Sequence, residues 1–419
     1  MKIVLINTSE QTGGAAVACK RLMAALRNAG EEVKMLVGGK CSSDPDVVQV
    51  KVNPRIARFR FLWERLVIWI NNGFSRKNLF AVSLADTGVD ISKHTLVQEA
   101  DVIHLHWIHN GFLSLGDVRR LLALGKPVVW TLHDMWMLTG ICHCARDCEH
   151  FHEVCRNCPL LRFPGRNDLS HRVWRKKKKL LDKSGVHFVT CSQWLLGESL
   201  ESRLLQSRRL VAIPNPIDTG LFRPKDKQQC RRELGLPVGK KLLLFGAERA
   251  DNALKGIAYL VDALRMLARE RPERQEDIEV VIFGKSKTGL PELPFPSHFV
   301  GFVADEEQMV NLYNAVEVYV TPSLADNLPN TVMEAMACGI PVVGFDTGGI
   351  PEMIDHKVNG YLAGFKNSRE LMEGICWMLF EAVPADMAHE ARAKVLRCYT
   401  EEKVSEAYLN LYKQVCRKN

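Results

Sequence analysis

Short runs of apolar and β-branched residues alternate along this chain with longer segments in which apolar positions return every third or fourth residue. Lys2 to Ile6 is one such run, followed by a helical pattern from about Gly14 to Ala29 and a second run from Glu32 to Val37. Strand, helix, strand in that rhythm predicts βαβ units and a parallel sheet. The rhythm resumes at Asp101 to Leu105, Pro127 to Leu132 and Val186 to Thr190. Prolines and polar residues then interrupt it, at Ile213-Pro214-Asn215-Pro216-Ile217-Asp218 and at Arg223-Pro224-Lys225-Asp226, as a linker does. It restarts at Lys241 to Phe245, with further strands at about Glu279 to Phe283, Val318 to Thr321 and Pro341 to Val343. From Glu401 to Val415 the apolar residues Val404, Ala407, Tyr408, Leu411 and Val415 fall at helical spacing, so this segment is a one-sided helix that needs a surface to cover.

The pattern therefore gives an α/β chain of two doubly wound, Rossmann-like domains: residues 1–215, residues 216–398, and a terminal helix, 399–419, that returns to the first. A length of 419 residues suits two such cores better than one. In parallel sheets ligands bind beyond the carboxyl ends of the strands, so the loops after the strands are the informative ones, and a cleft between two such domains is the expected site.

Composition narrows the setting. The chain is 47% hydrophobic and 25% charged, globular averages that predict folding throughout. The first apolar run turns polar at Asn7-Thr8-Ser9-Glu10, and reads as a buried strand and not as an export signal. Phe61 to Ile70 is broken by Glu64 and Arg65 and falls short of the roughly 20 residues that span a bilayer, so no transmembrane helix is expected. Thirteen cysteines without an export signal point to the reducing cytoplasm, where a cluster holds metal more readily than disulfides. A net charge of +8 favours anionic partners without choosing among phosphorylated substrates, anionic lipid and nucleic acid.

The most specific loop follows Thr321 and runs Pro322-Ser323-Leu324-Ala325-Asp326-Asn327-Leu328-Pro329-Asn330-Thr331-Val332-Met333-Glu334-Ala335-Met336-Ala337-Cys338-Gly339-Ile340-Pro341. Asn330 or Thr331 can cap a helix whose first-turn amides attract an anion such as a phosphate, with Asn327 beside it on the loop. Glu334, one turn further along, can accept hydrogen bonds from the vicinal hydroxyls of a ribose. Alone, Asp326 and Glu334 would read as a loop cap and a solvated carboxylate. The words around them resemble the signature of family-four retaining glycosyltransferases, which implies that Asp326 meets the donor sugar and Glu334 the nucleotide ribose. The chain differs from that signature in two places: the first acid is usually Glu, and a Phe-Gly pair usually stands where Leu328-Pro329 is found.

The resemblance covers nearly the whole chain in order, and implies the GT-B fold, two facing Rossmann-like domains with the last helix crossing back to the first. Phe245-Gly246-Ala247-Glu248-Arg249 and Leu254-Lys255-Gly256 resemble the loop whose Arg and Lys hold the donor diphosphate, where fixed cations stabilise the leaving charge with no obligatory metal. Thr347-Gly348-Gly349-Ile350-Pro351-Glu352 resembles the loop at the nucleotide, and Thr12-Gly13-Gly14-Ala15-Ala16 the one that reaches the donor phosphates. His133, after the run Pro127 to Leu132, stands where the family places a His beside the reacting sugar. It is assigned to orienting that sugar or polarising the acceptor, with Asp134 in support. His104, His106 and His109 are left as acceptor contacts.

One loop, about 140–160, holds Cys142, Cys144, Cys148, Cys155 and Cys158 among His143, His150 and His152. Cys155-Arg156-Asn157-Cys158 has the spacing of half a zinc knuckle, and the first half is irregular. Cys142, Cys148, Cys155 and Cys158 are thus either a structural zinc set or free thiols. Family members that build bacterial surface polysaccharides look similar here, which implies a folded knob on the acceptor side. The basic segments Arg55 to Arg65 and His171 to Leu181 either lie on an anionic membrane or pack a core with a solvated basic face.

The expected activity is thus transfer of a hexose-type sugar from a nucleotide diphosphate sugar to a glycan or lipid-linked acceptor, in the cytoplasm or at the inner face of its membrane, with no nucleic-acid partner. Three rivals stay on the page: a catalytically silent sugar-nucleotide-binding subunit, a nucleic-acid-binding zinc protein, and a nicotinamide oxidoreductase. The last predicts the fingerprint Gly-x-Gly-x-x-Gly, which is missing.

Overall fold

The computed structural model describes residues 1–182, 184–286 and 289–417. The chain divides into two compact units, Met1–Pro216 with Glu402–Asn419, and Ile217–Glu401.

The first unit is built on seven strands: β1 (Lys2–Ser9), β2 (Glu32–Gly39), β3 (Val47–Gln49), β4 (Val102–Leu105), β5 (Val128–Leu132), β6 (His187–Thr190) and β7 (Arg209–Ala212). They pair in the order β3-β2-β1-β4-β5-β6-β7, and every pairing is parallel. The order reverses direction between β1 and β4, the place where such sheets leave room for a ligand. β1, β4 and β5 read as unbroken apolar runs because helices cover both of their faces. On one face the helix Gly14–Asn28 and the terminal helix Glu401–Cys416 pack on Ile3, Leu5, Val102 and Val129 through Leu22, Leu26, Val404, Tyr408 and Tyr412.

The second unit has six parallel strands: β8 (Lys241–Arg249), β9 (Ile278–Lys285), β10 (Ser297–Gly301), β11 (Val318–Thr321), β12 (Val342–Phe345) and β13 (Gly360–Ala363). Their order, β10-β9-β8-β11-β12-β13, reverses between β8 and β11. Helices Ile257–Glu270 and Ser368–Phe380 cover one face with Leu260, Leu264, Leu267, Leu371 and Ile375.

Four strands carry too little pattern to be read from sequence: β3, β7, β10 and β13. All four stand at a sheet edge, and β7 also exposes half of its positions, so none shows the continuous apolar run of a central strand. Among the described residues no helix is long and apolar enough to cross a membrane. The two basic helices differ. Leu169–Leu181 buries Val173, Trp174 and Lys177 and turns Arg175, Lys176, Lys178 and Lys179 outward, so it is a core helix with a solvated basic face. Pro54–Asn71 instead leaves Ile56, Phe59, Leu62, Trp63, Leu66 and Ile70 exposed.

Candidate active site

In the second unit, three loops at the carboxyl ends of β8, β11 and β12 converge on Asp326. After β8 the chain makes a short turn over Ala253–Lys255, in which the Asn252 side chain accepts from the Leu254 amide. Gly256 follows at φ +73°, and a Cβ there would stand 1.8 Å from the Pro322 carbonyl oxygen. Leu324 N–H donates to Leu254 C=O at 2.8 Å, so the loops after β8 and β11 dock backbone to backbone. That docking carries the Lys255 ammonium to 3.0 and 2.8 Å from the two Asp326 carboxylate oxygens. From β12, Gly349 N–H donates to the Asp326 carbonyl at 3.1 Å. Gly348, at φ +59°, lies so close that a Cβ would sit 1.9 Å from that same oxygen. Glycine is required there both by its backbone angle and by the contact.

Arg249 stands at the end of β8, exposed, and its guanidinium bonds Asp251 at 3.1 and 3.3 Å. The structure thus joins Lys255, Asp326, Gly348 and Gly349, and gives Arg249 a partner of its own, Asp251, within the same loop.

The helix after β11 begins at Asn330 and is capped by no side chain, with Pro329 in the cap position. Asn330 and Thr331 are therefore its first two residues and not its cap, because the fixed φ of proline already sets the entry. The Thr331 side chain is bonded with the buried Tyr319, whose hydroxyl donates to the Gly246 carbonyl at 2.9 Å. Glu334 is 8% exposed and accepts from the Tyr313 hydroxyl at 2.8 Å. Burial, and then the facing carboxylate, push the Tyr313 phenol well above its ordinary range, so it stays a donor. Asn327 is half-buried on the loop beside Asp326.

In the first unit, Gly13 precedes the helix Gly14–Asn28 at φ +88°, with open space where a Cβ would point. Sequence reasoning missed the residue that shapes this loop, Glu10. Its side chain is fully buried and accepts from the Cys41 and Ser42 amides at 2.7 and 2.9 Å, while Lys20 meets its other oxygen at 3.2 Å. Burial alone would raise its pKa, but the bonds from Ser42 and Cys41 overcome this and hold it at about 2. Ser-Glu after a strand carries no recognisable signal, because the partners lie 31 and 32 positions away.

The histidines form a row across the ends of β4 and β5. His104 uses both ring nitrogens inside the unit, on the Tyr412 hydroxyl and the Thr131 hydroxyl, each at 2.7 Å. It is a core residue and not an acceptor contact. His106 Nδ1 meets His133 Nε2 at 2.9 Å, and His133 Nδ1 meets the Cys191 thiol at 3.5 Å. Both His133 nitrogens are therefore engaged within the unit, and burial brings its pKa down to about 4, which keeps the ring neutral. Asp134 accepts from the Trp136 amide, from Trp107 Nε1 at 3.0 Å and from His143 Nδ1 at 2.7 Å. Burial opposes its ionisation, yet His143 and His109 hold it below the usual carboxylate range.

Cys142, Cys155 and Cys158 lie in the hydrophobic core of this unit. Burial lifts their thiols to about 11, 12 and 12, and Cys155 accepts from the Gly140 amide. Among the described residues, the one set of three or more ligand-type side chains with ligand atoms within 4.8 Å of each other is His109, Asp134 and His143. The four cysteines considered for zinc, Cys142, Cys148, Cys155 and Cys158, form no such set among the described residues.

Known proteins resemble this chain in sequence and in fold. The model of Glycosyltransferase Family 4 matches residues 12–221, and that of Glycosyl transferases group 1 matches residues 239–381. A putative colanic acid biosynthesis glycosyl transferase, WcaC, of Escherichia coli is 26% identical over 75% of this chain and 76% of its own length. A D-inositol 3-phosphate glycosyltransferase of Corynebacterium jeikeium is 27% identical over 57% of this chain and 58% of its own. Among solved structures, a sucrose-phosphate synthase of Thermosynechococcus elongatus superposes with a TM-score of 0.68 at 18% identity, covering 100% of this chain and 99% of its own. HepE of Anabaena in complex with UDP and glucose does so at 0.65 and 18%, covering 99% of each chain. The two parallel sheets with their switch-point loops are those of the GT-B fold, and the chain belongs to glycosyltransferase family 4.

Proposed function

We propose that this glycosyltransferase moves a hexose-type sugar, with retention, from a nucleoside diphosphate sugar to a glycan or lipid-linked acceptor in surface polysaccharide synthesis. The observation that carries the reading is the Lys255–Asp326 pair, held by three glycine-bearing or backbone-docked loops at the switch point of the second sheet. Departure of a nucleoside diphosphate builds negative charge on the leaving oxygen. A positioned ammonium, with Arg249 from the end of β8, stabilises that charge without a divalent ion. Asp326 then accepts from the sugar hydroxyls, and Gly348 and Gly349 let the backbone approach the donor. Glu334, braced by Tyr313, accepts from the ribose hydroxyls. Asn327, Asn330 and Thr331 line the phosphate end, and the open backbone at Gly13, next to Gly14, also suits a phosphate. His133 serves the sugar or the acceptor after its ring turns out of its bonds to His106 and Cys191. Retention follows if the leaving phosphate takes the acceptor proton on the face it departs from.

Two likenesses support the substrate class: HepE was solved with UDP and with UDP-glucose, and the WcaC relative is named for colanic acid biosynthesis. The exposed apolar side of Pro54–Asn71, with Phe59 at 62% and Arg55 and Arg58 beside it, supports peripheral contact with an anionic membrane at the cytoplasmic face.

Thermal melting of the full chain with uridine, guanosine and adenosine diphosphates and their sugars tests this directly, because a ligand of the native state raises apparent stability. One nucleoside diphosphate should raise the midpoint, in chelator as well as in buffer. No shift with any of them would overturn the reading, and a shift that needs a divalent ion would overturn its metal-free form.

A further inference from the structure

His109 comes from the loop after β4, and Asp134 and His143 come from the long loop after β5, His143 from its cysteine-rich part. We propose that these three side chains bind a divalent transition cation of the zinc class, which clamps the cysteine-rich loop onto the ends of β4 and β5.

Geometry carries the argument. One ligand atom from each residue lies within 4.8 Å of the other two. His109 is 3% exposed, and its Nδ1 is buried with no hydrogen-bond partner. Leaving a buried polar nitrogen unsatisfied costs about 1–3 kcal/mol, a debt that native folds seldom carry without a reason. The ring is held edge-on by Trp136, Trp107 and His143, with centroids 4.3, 4.8 and 4.8 Å away.

The surroundings have the form of a supporting shell around metal ligands. His143 presents Nδ1 to Asp134 at 2.7 Å, while its Nε2 meets the Ser83 hydroxyl at 2.8 Å, which fixes the ring and its tautomer. Asp134 is oriented by Trp107 Nε1 and the Trp136 amide. Binding at His143 Nδ1 shifts the ring proton shared with Asp134 to Nε2, where the Ser83 hydroxyl turns to accept it, so the ligand stays a neutral imidazole and no proton is lost. Lys177 and Arg65 are the nearby cations that oppose this. Glu64 pairs with Arg65 at 2.8 Å, and burial brings Lys177 down to about 7, so neither imposes a full uncompensated charge. Two His and one carboxylate are a ligand set that zinc accepts, with one position left open.

The test reads metal and not nucleotide, so its failure leaves the sugar-nucleotide reading standing, although Asp134 adjoins His133 in sequence. The test uses the full chain, stripped with chelator and titrated with cobalt(II). Binding of a single equivalent should give visible d–d bands without a thiolate charge-transfer band. It should be weakened at least tenfold by His109→Ala and by His143→Ala, and unchanged in the Cys142→Ser, Cys155→Ser double variant. Absence of binding, or a thiolate band that disappears in the cysteine variant, would overturn the proposal. Should the histidine variants fail to fold, X-ray absorption of the zinc-loaded natural protein decides: nitrogen and oxygen neighbours alone support the site, and sulfur neighbours refute it.

Discussion

The Lys255 ammonium lies between the two carboxylate oxygens of Asp326, 3.0 Å from one and 2.8 Å from the other. An incoming diphosphate must compete with Asp326 for this ammonium, and an incoming sugar must compete with Lys255 for the carboxylate. The pair therefore predicts opposite effects for its two members. Asp326→Asn should free the ammonium, tightening the nucleoside diphosphate alone while turnover falls. Lys255→Ala should cut turnover roughly 10²–10³-fold, the usual cost of one preorganised donor to a developing charge. Calorimetry with the diphosphate and steady-state rates with the donor sugar separate the two; parallel losses in both variants would remove the competitive arrangement.

Tyr313 and Glu334 make a second linked pair, buried and 2.8 Å apart. Tyr313→Phe should lower stability by about 1–2 kcal/mol, since a buried carboxylate oxygen loses its donor. It should also weaken the nucleoside diphosphate, though less than Glu334→Ala does. Denaturant melts and binding isotherms report the two effects separately. A phenylalanine variant with unchanged affinity would mean that Glu334 is held by other contacts.

Acid should weaken the first unit through His104. Burial moves its pKa from 6.5 to about 3, so the folded state favours the neutral ring. The unfolded chain binds that proton first, so the contribution is complete above about 6.5 and is lost as pH falls through the window below it, at up to about 1.4 kcal/mol per pH unit. Melting midpoints measured across this range should fall, and His104→Asn, less stable at neutral pH, should fall less steeply. Equal slopes would assign the acid sensitivity to other groups.

The exposed side of Pro54–Asn71 predicts membrane affinity. Burying each large apolar side chain is worth about 1.5–3 kcal/mol, so Trp63→Glu should lower partitioning onto anionic vesicles by tenfold or more. Flotation with vesicles of phosphatidylglycerol and with neutral vesicles checks this. Binding that ignores both the substitution and the lipid charge would place the contact elsewhere.

The βαβ rhythm made the central strands legible, since β1, β4, β5, β8 and β11 are continuous apolar runs bounded by polar loops. Lys255 and Asp326 could be singled out from their loops, but not as a pair, because 71 positions separate them and only the docking at Gly256 brings them together. Tyr313 was invisible for the same reason: its role depends on facing Glu334 from another helix. The cysteine spacing suggested a metal, while the side chains that converge are His109, Asp134 and His143, spread over the loops after β4 and β5 with no local motif. Contacts made by one element with itself leave a periodic trace in sequence, and contacts between loops do not.

The helix Glu401–Cys416 completes the sheet face formed by Ile3 and Leu5. During synthesis, the first unit's strands emerge early, but Val404, Tyr408 and Tyr412 emerge only after the whole second unit. Until then, the part of that sheet face left uncovered by the helix Gly14–Asn28 stands open, and His104 has no Tyr412 to bond. The second unit can mature while the first waits, so the order of completion is the reverse of the order of translation, and the nascent first unit is the stage at which a chaperone would find exposed apolar surface.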